Sequence, residues 1–212
     1  MAARGRPRAS GPSASGLGTE QDILLAAGRL FCTEGYGSTS TYAIARAAGI
    51  SQATMYHYFE GKHEILLALL LETVRPSVEY AERLTASPEP PTERLRKLVS
   101  YDATLLASGT ENLGSLYLLP ELGDERFAPF HAERQRLFET YRELVAACQG
   151  CGLREAHPTA SLVLGLVESL ILRRRTEPHM LEDDIATRIA DAALRIVHAD
   201  EPPGPSGTSR LR

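Results

Sequence analysis

Cysteine is scarce in this 212-residue chain: Cys32, Cys148 and Cys151 are too few for a disulfide framework. The N-terminus has no apolar stretch of the kind a secretory signal carries, so the sequence reads as cytoplasmic. Long hydrophobic runs are missing as well. Ile65–Leu71 and Leu162–Val167 are the longest, and both fall short of the ~20 residues that cross a bilayer. Sustained period-2 alternation of Val, Ile and Thr is absent, which argues against strands, and there are no internal repeats. No Gly-rich phosphate loop, GxSxG, HExxH or credible triad occurs, so neither a catalytic residue nor a cofactor is expected. Tryptophan is absent and aromatics make up only 6%. The 43% hydrophobic content nevertheless suffices for a buried core, and with 24% charged residues it excludes wholesale disorder.

Cys148-Gln149-Gly150-Cys151, with His157 nearby, has CxxC spacing, but a structural zinc site requires four ligands and no second CxxC exists. No metal is expected. A helix end with Cys148 packed and a glycine turning the chain accounts for the motif.

Net charge is -4, unfavourable at first sight for a partner rich in phosphate, but the charge is uneven. Residues 1–65 hold six Lys or Arg against five Asp or Glu, whereas the rest holds 17 against 22. Such asymmetry suggests two tasks on one chain, one of them near phosphate.

Residues 1–18 and 200–212 are Gly, Pro, Ser and Arg with little to bury, and read as flexible tails. Between them the apolar spacing is helical nearly throughout, so the fold class is all-α. A first helix is expected over Thr19–Glu34, with Thr19 as N-cap and Gly35 as stop. Two short helices follow, Tyr42–Ala48 and Gln52–Phe59, introduced by Ser38-Thr39-Ser40 and by Ser51. A longer helix starts at Lys62, with a kink or a new segment expected at Pro76. Pro88, Pro90 and Pro91 mark a boundary, and Pro91 suits the first turn of the next helix. The pattern fixes no boundaries between about 109 and 125. Helices near Glu125–Gln149, Thr159–Arg174 and His179–Ala199 complete the chain.

The two short helices around Gly49-Ile50-Ser51 match a helix-turn-helix, whose second helix enters the major groove. In Gln52–Phe59, Met55, Tyr58 and Phe59 form an apolar group suited to pack on Phe31, Ile44 and Ile50. The opposite arc is then free for DNA. There Ala53 allows close approach, Gln52, Thr54 and His57 can reach base edges, and Tyr56 suits a phosphate oxygen. Ser51 serves as a cap whether or not it also touches DNA.

The stretch Ile23 to Leu66 resembles the DNA-binding domain of the tetracycline-repressor (TetR) family. The resemblance rests on Ala26-Ala27, Leu30-Phe31, Glu34-Gly35-Tyr36, Ile44-Ala45, Ala48-Gly49-Ile50-Ser51, Thr54-Met55-Tyr56 and Phe59 before Lys62. Ala53 departs from a family position often filled by Gly or Pro. His63 stands where an acid often follows the Lys directly. The resemblance implies an Ω-shaped homodimer with an N-terminal helix-turn-helix domain (19–65) and a C-terminal helical ligand-binding and dimerisation domain (66–199). It implies a transcriptional regulator, a repressor released from a palindromic operator by a small apolar or amphipathic ligand. On this resemblance Ser51, Gln52, Ala53, Thr54, Tyr56 and His57 occupy the recognition helix, and Tyr56 and Lys62 meet backbone phosphate. Thr39, Ser40, Thr41 and Tyr42 would meet phosphate at a helix N-terminus. Arg4-Gly5-Arg6-Pro7-Arg8 resembles the core of a minor-groove AT-hook, though a basic tail attracted to phosphate without sequence preference fits equally.

Leu162–Leu172 is apolar around nearly its whole circumference, so it needs both a core and a second surface, for which a partner subunit is the natural candidate. Leu162, Leu166 and Leu170, with Ile185, Ile189, Ala192 and Ile196 of the last helix, form the expected dimer interface. A dimer would set two recognition helices about one DNA turn apart, ~34–36 Å, or somewhat further. For the effector, Tyr101, Leu105, Tyr117, Phe127, Phe130, Phe138 and Tyr141 could line an apolar cavity with Asn112, His131 or Glu168 as polar anchors. An aromatic stripe at this spacing is more often plain core. The alternative function is a helical protein-interaction module without specific DNA binding.

Overall fold

The computed structural model describes residues 16–178, 181 and 183–199, and among these no strand occurs. Eight α-helices are described: α1 (Thr19–Glu34), α2 (Thr41–Ala47), α3 (Gln52–Tyr58), α4 (Lys62–Thr85), α5 (Pro91–Ala107), α6 (Ala128–Gln149), α7 (Leu153–Thr176) and α8 (Ile185–His198). Three short 3-10 turns, Leu113–Leu118, Pro120–Gly123 and Glu125–Phe127, fill the stretch where the sequence pattern set no boundaries. The Arg4–Arg8 motif and the last 13 residues lie outside the described residues.

Local chemistry sets most of the ends. Ser40 caps α2 by accepting from the Ala43 amide at 3.1 Å, and Pro91 stands at the start of α5. Gly35 ends α1 with a φ of +86°, a conformation open to glycine and strained for other residues. The start of α1 differs from expectation, since Gly18 rather than Thr19 is its N-cap and no side chain caps it. α7 begins six residues before the expected Thr159 and carries Pro158 inside it, while α8 begins at Ile185.

Pro76 does not end α4. Ile65, Leu66, Leu69, Leu70 and Val74 before it, and Val78, Ala81 and Leu84 after it, are all buried along the helix. Each large apolar side chain so buried contributes roughly 1.5–3 kcal/mol, against about 3 kcal/mol for an interior proline, so burial on both sides outweighs the lost bond.

By contacts the chain forms two compact units. The first comprises the described residues up to Pro76 together with Gly109–Glu133, and the second comprises Ser77–Ser108 with the described residues from Arg134 onward. In the first, α1 packs on α2 and on the Leu113–Leu118 turn, and α2 packs on α3. In the second, α5 is central and packs on α7 and α8, which also touch each other. Arg174 of α7 donates to the carbonyls of Leu106 and Ser108, closing the C-terminal end of α5.

Candidate nucleic-acid interface

The turn between α2 and α3 is built by backbone. Gly49 has a φ of +72°, its amide donates to the Arg46 carbonyl, and the Ile50 amide donates to the Ala45 carbonyl at 3.0 Å. Ser51 then starts α3: its Oγ accepts from the Thr54 amide at 3.0 Å and lies 2.7 Å from Thr54 Oγ1. Ile44 and Met55, both fully buried, anchor the two helices from below.

With Met55 inward, α3 exposes Gln52, Ala53, Thr54, Tyr56 and His57 on its outer side, Tyr56 being 48% exposed. Three of the expected side chains form one polar group. Thr41 Oγ1 at the start of α2 accepts from Gln52 Nε2 at 3.2 Å and lies 3.1 Å from Tyr56 Oη. The pairing ties the outer faces of α2 and α3 together and fixes where the phenol points. Tyr42 and Ser40 are also exposed.

Two expected residues face elsewhere. Thr39 is 2% exposed, and its hydroxyl donates to the Gly35 carbonyl at 2.8 Å, so it fastens the end of α1. Lys62 Nζ donates to the carbonyls of Tyr36 at 2.7 Å, Thr39 at 3.1 Å and Gly37 at 3.2 Å, and sits 4.4 Å from the centroid of the Tyr36 ring. Its three protons are thereby engaged in holding the start of α4 to the α1–α2 turn.

Tyr58 was expected among the buried group and is instead 43% exposed, edge-on to His57 at 5.6 Å. The cause lies at the end of α3: Phe59 leaves the helix with extended backbone, φ -137° and ψ 127°, and takes the buried place itself. Sequence reasoning therefore missed Tyr58 as part of the outer surface. Helical spacing carried no signal for it, because the backbone stops being helical one residue later. Arg46, exposed in the last turn of α2, was likewise not singled out.

The ten expected effector residues divide equally between the two units. In the first unit, Tyr117 Oη lies 2.8 Å from Thr73 Oγ1, its ring meets that of Phe130, and Phe127 and Phe130 are buried core. His131 Nε2 lies 2.8 Å from the Leu122 carbonyl oxygen, and the Asn112 carbonyl accepts from the Cys32 thiol. In the second, Tyr101 stacks on Tyr80, Phe138 meets the His157 ring edge-on, Leu105 is exposed, and Glu168 pairs with Arg134 at 2.6 Å.

Tyr141, fully buried, donates to Asp102 Oδ2 at 2.7 Å. Asp102 was missed. Burial raises its carboxyl to about 6, outweighing the hydrogen bonds from Ser77 and Tyr141 that favour the charged form. The same burial, with the Asp102 charge beside it, pushes the Tyr141 phenol well upward. Asp102 Oδ1 is buried without a hydrogen-bond partner.

Of the expected dimer residues, Leu170 and Ile189 are buried within this chain. Leu162, 63% exposed, and the partly exposed Leu166, Ile185, Ala192 and Ile196 remain on outer faces. Leu172, also exposed, joins them. Cys148 and Cys151 are free thiols, burial raises the Cys148 thiol, and among the described residues no cluster of His, Cys, Asp and Glu could hold a metal. Among the described residues no helix is long and apolar enough to cross a membrane.

Residues 23–69 match the family model described as bacterial regulatory proteins, tetR family. The chain is 30% identical over 191 residues to the HTH-type transcriptional regulator EthR of Mycolicibacterium smegmatis, covering 85% of this chain and 82% of that protein. It is 32% identical over 91 residues to the fatty acid metabolism regulator protein of Bacillus subtilis, a match spanning 43% of this chain and 46% of that protein. Among solved structures, Mycobacterium smegmatis AmtR superposes with a TM-score of 0.77 at 42% identity, covering 91% of this chain and 89% of that one.

Proposed function

Because the chain belongs to the tetR family of bacterial regulatory proteins, we propose that residues 19–65 read operator DNA while residues 66–199 bind a small effector and dimerise. The protein is a DNA-binding transcriptional regulator of that family, with operator DNA, a second copy of the chain and a small-molecule effector as partners. The reading makes it a cytoplasmic repressor, without catalysis, that leaves a palindromic operator when an apolar or amphipathic effector binds.

One observation carries the assignment of the DNA surface: the Gln52–Thr41–Tyr56 group on the exposed side of a Ser51-capped α3. Hydroxyls already fixed in place lose little freedom on meeting phosphate, and phosphate contacts set the register in which base edges are read. Thr54, His57, Gln52 and Ala53 then face the groove, with Ser51, Ser40, Thr41, Tyr42 and Tyr58 around them. Lys62 and Thr39 act as positioning residues, since their donors are already engaged with backbone carbonyls. Leu162, Leu166, Leu172, Ile185, Ala192 and Ile196 supply the dimer surface.

An effector releases the operator only if it binds the DNA-competent and incompetent dimers unequally. α4 and α6 are continuous helices that carry the chain from one unit into the other, so either can transmit the difference.

Selection of bound sequences from a random DNA pool, followed by titration of the winner at several salt concentrations, tests the reading. An enriched palindrome bound by a dimer is expected, with Tyr56→Phe weakening it by about 1 kcal/mol, the net value of one hydrogen bond. Weak, salt-sensitive attachment without enrichment would overturn it.

A further inference from the structure

Residues 109–133 are distant in sequence from the helix-turn-helix yet belong to its compact unit. Their first turn lies against α1: Leu113 Cδ2 is 3.0 Å from where a Cβ on Gly28 would stand, and the Asn112 carbonyl accepts from Cys32. The later turns leave a cleft of about 370 Å³ lined by Tyr36 from the α1–α2 turn, His63 from the start of α4, and Glu121, Asp124, Arg126 and Phe127. That volume is within the range of small-molecule sites.

The chemistry of the lining is unequal. Asp124 and Arg126 satisfy each other through two bonds, at 2.9 and 2.7 Å, and the guanidinium holds the Asp124 carboxyl well below the usual range. Glu121 has no such partner. Its Oε2 is shielded from solvent with no hydrogen-bond donor, while Phe127 and Tyr36 supply apolar surface beside it. Burial raises the Tyr36 phenol, the Glu121 charge adds to that rise, and the Arg126 guanidinium opposes it.

We propose that this cleft, which shares only Phe127 with the expected effector lining, is a second ligand site and takes a small organic cation. A primary ammonium on a short apolar stem would pair with the carboxylate of the half-buried Glu121 through Oε1, since Oε2 is shielded, and lay the stem against Phe127 and Tyr36. The Tyr36 carbonyl and ring both engage Lys62 Nζ, so an occupant touches the joint that fastens α4 to the α1–α2 turn. A change in operator affinity on binding follows from that contact and rests on the regulator reading above.

Titration of the full-length, nitrogen-15-labelled protein with benzylammonium, with benzoate and benzyl alcohol as matched controls, tests the site. Amide shifts are expected around Tyr36, His63, Glu121 and Phe127 with benzylammonium alone. Glu121→Gln should weaken binding about tenfold or more, as for a lost hydrogen bond to a charged group. Glu121→Asp keeps the charge but withdraws it by a methylene, and should fall between. Equal binding of benzoate, unchanged affinity in both variants, shifts confined to residues 77–108 and 134–178, or no saturable benzylammonium binding would each overturn the proposal. In the same samples, operator affinity that responds to benzylammonium in the wild type and not in Glu121→Gln supports the link to DNA. An unresponsive operator with the cleft occupied overturns that link. Failure to bind any operator while benzylammonium still binds overturns the regulator reading and leaves the site standing.

Discussion

The two compact units place their polar chemistry differently. In the unit that carries α1 to α3, hydroxyls and amides stand at the surface and are arranged by caps: Ser40, Ser51, Thr41 and Tyr56 bond to groups three to fifteen residues away. In the unit built around α5, the central polar group is internal. Asp102 of α5 meets Tyr141 of α6, 39 residues on, with Ser77 of α4 beside it and the Glu168 charge of α7 acting on it. A surface group stabilised by short-range bonds is cheap and can turn to a new partner. A buried carboxyl must be held by several helices at once, and it makes the stability of its unit depend on pH.

The strongest way to break the first unit is to hollow its floor. Met55→Ala should cost about 2–5 kcal/mol, because the fully buried side chain joins α3 to α2 and little can collapse into its place. Chemical denaturation would measure the loss, and selective operator binding should disappear with it.

The second unit is best probed by Asp102→Asn. Asp102 titrates at about 6 in the folded protein against 3.8 unfolded, so the folded state holds its proton more tightly. Its contribution is therefore fully present below about pH 4 and is lost as pH rises through about 6, a change of up to about 3 kcal/mol. Urea unfolding at intervals from pH 4 to 7.5 should show the wild type losing ground to Asp102→Asn across that window. Parallel profiles would mean that the carboxyl is solvated in the native state.

The smallest effect sharpens the contrast. Ser51→Ala removes one cap and should cost about 1 kcal/mol in thermal or chemical denaturation, with no pH dependence between 4 and 7.5. Loss from a cap that is flat in pH, beside loss from a buried acid that is steep, would separate the two kinds of polar group.

Much of the first unit was legible in the sequence because its determinants are local. Gly35 and Gly49 mark turns, Ser40 and Ser51 mark helix starts, and the i, i+3 and i, i+4 spacing of α1 and α3 marks their buried sides. Tyr58 escaped because the helical period was extended one residue past the true end of α3. Pro76 starts no new segment because a local rule about helix interiors met buried apolar side chains on both sides of it. The hydrogen bonds of Thr39 and Lys62 to backbone carbonyls were not legible, because the turn after α1 brings those carbonyls close.

The sequence by itself determined an all-helical chain with a helix-turn-helix near its start, since caps, glycine turns and apolar periodicity act within a few residues of one another. Only the tertiary structure brought residues 109–133 onto the unit of α1, left a carboxylate of Glu121 unpartnered in a cleft, and buried Asp102 against Tyr141. Those features depend on which distant segments share a core, and that is set by the packing of whole helices rather than by the spacing of residues along any one of them.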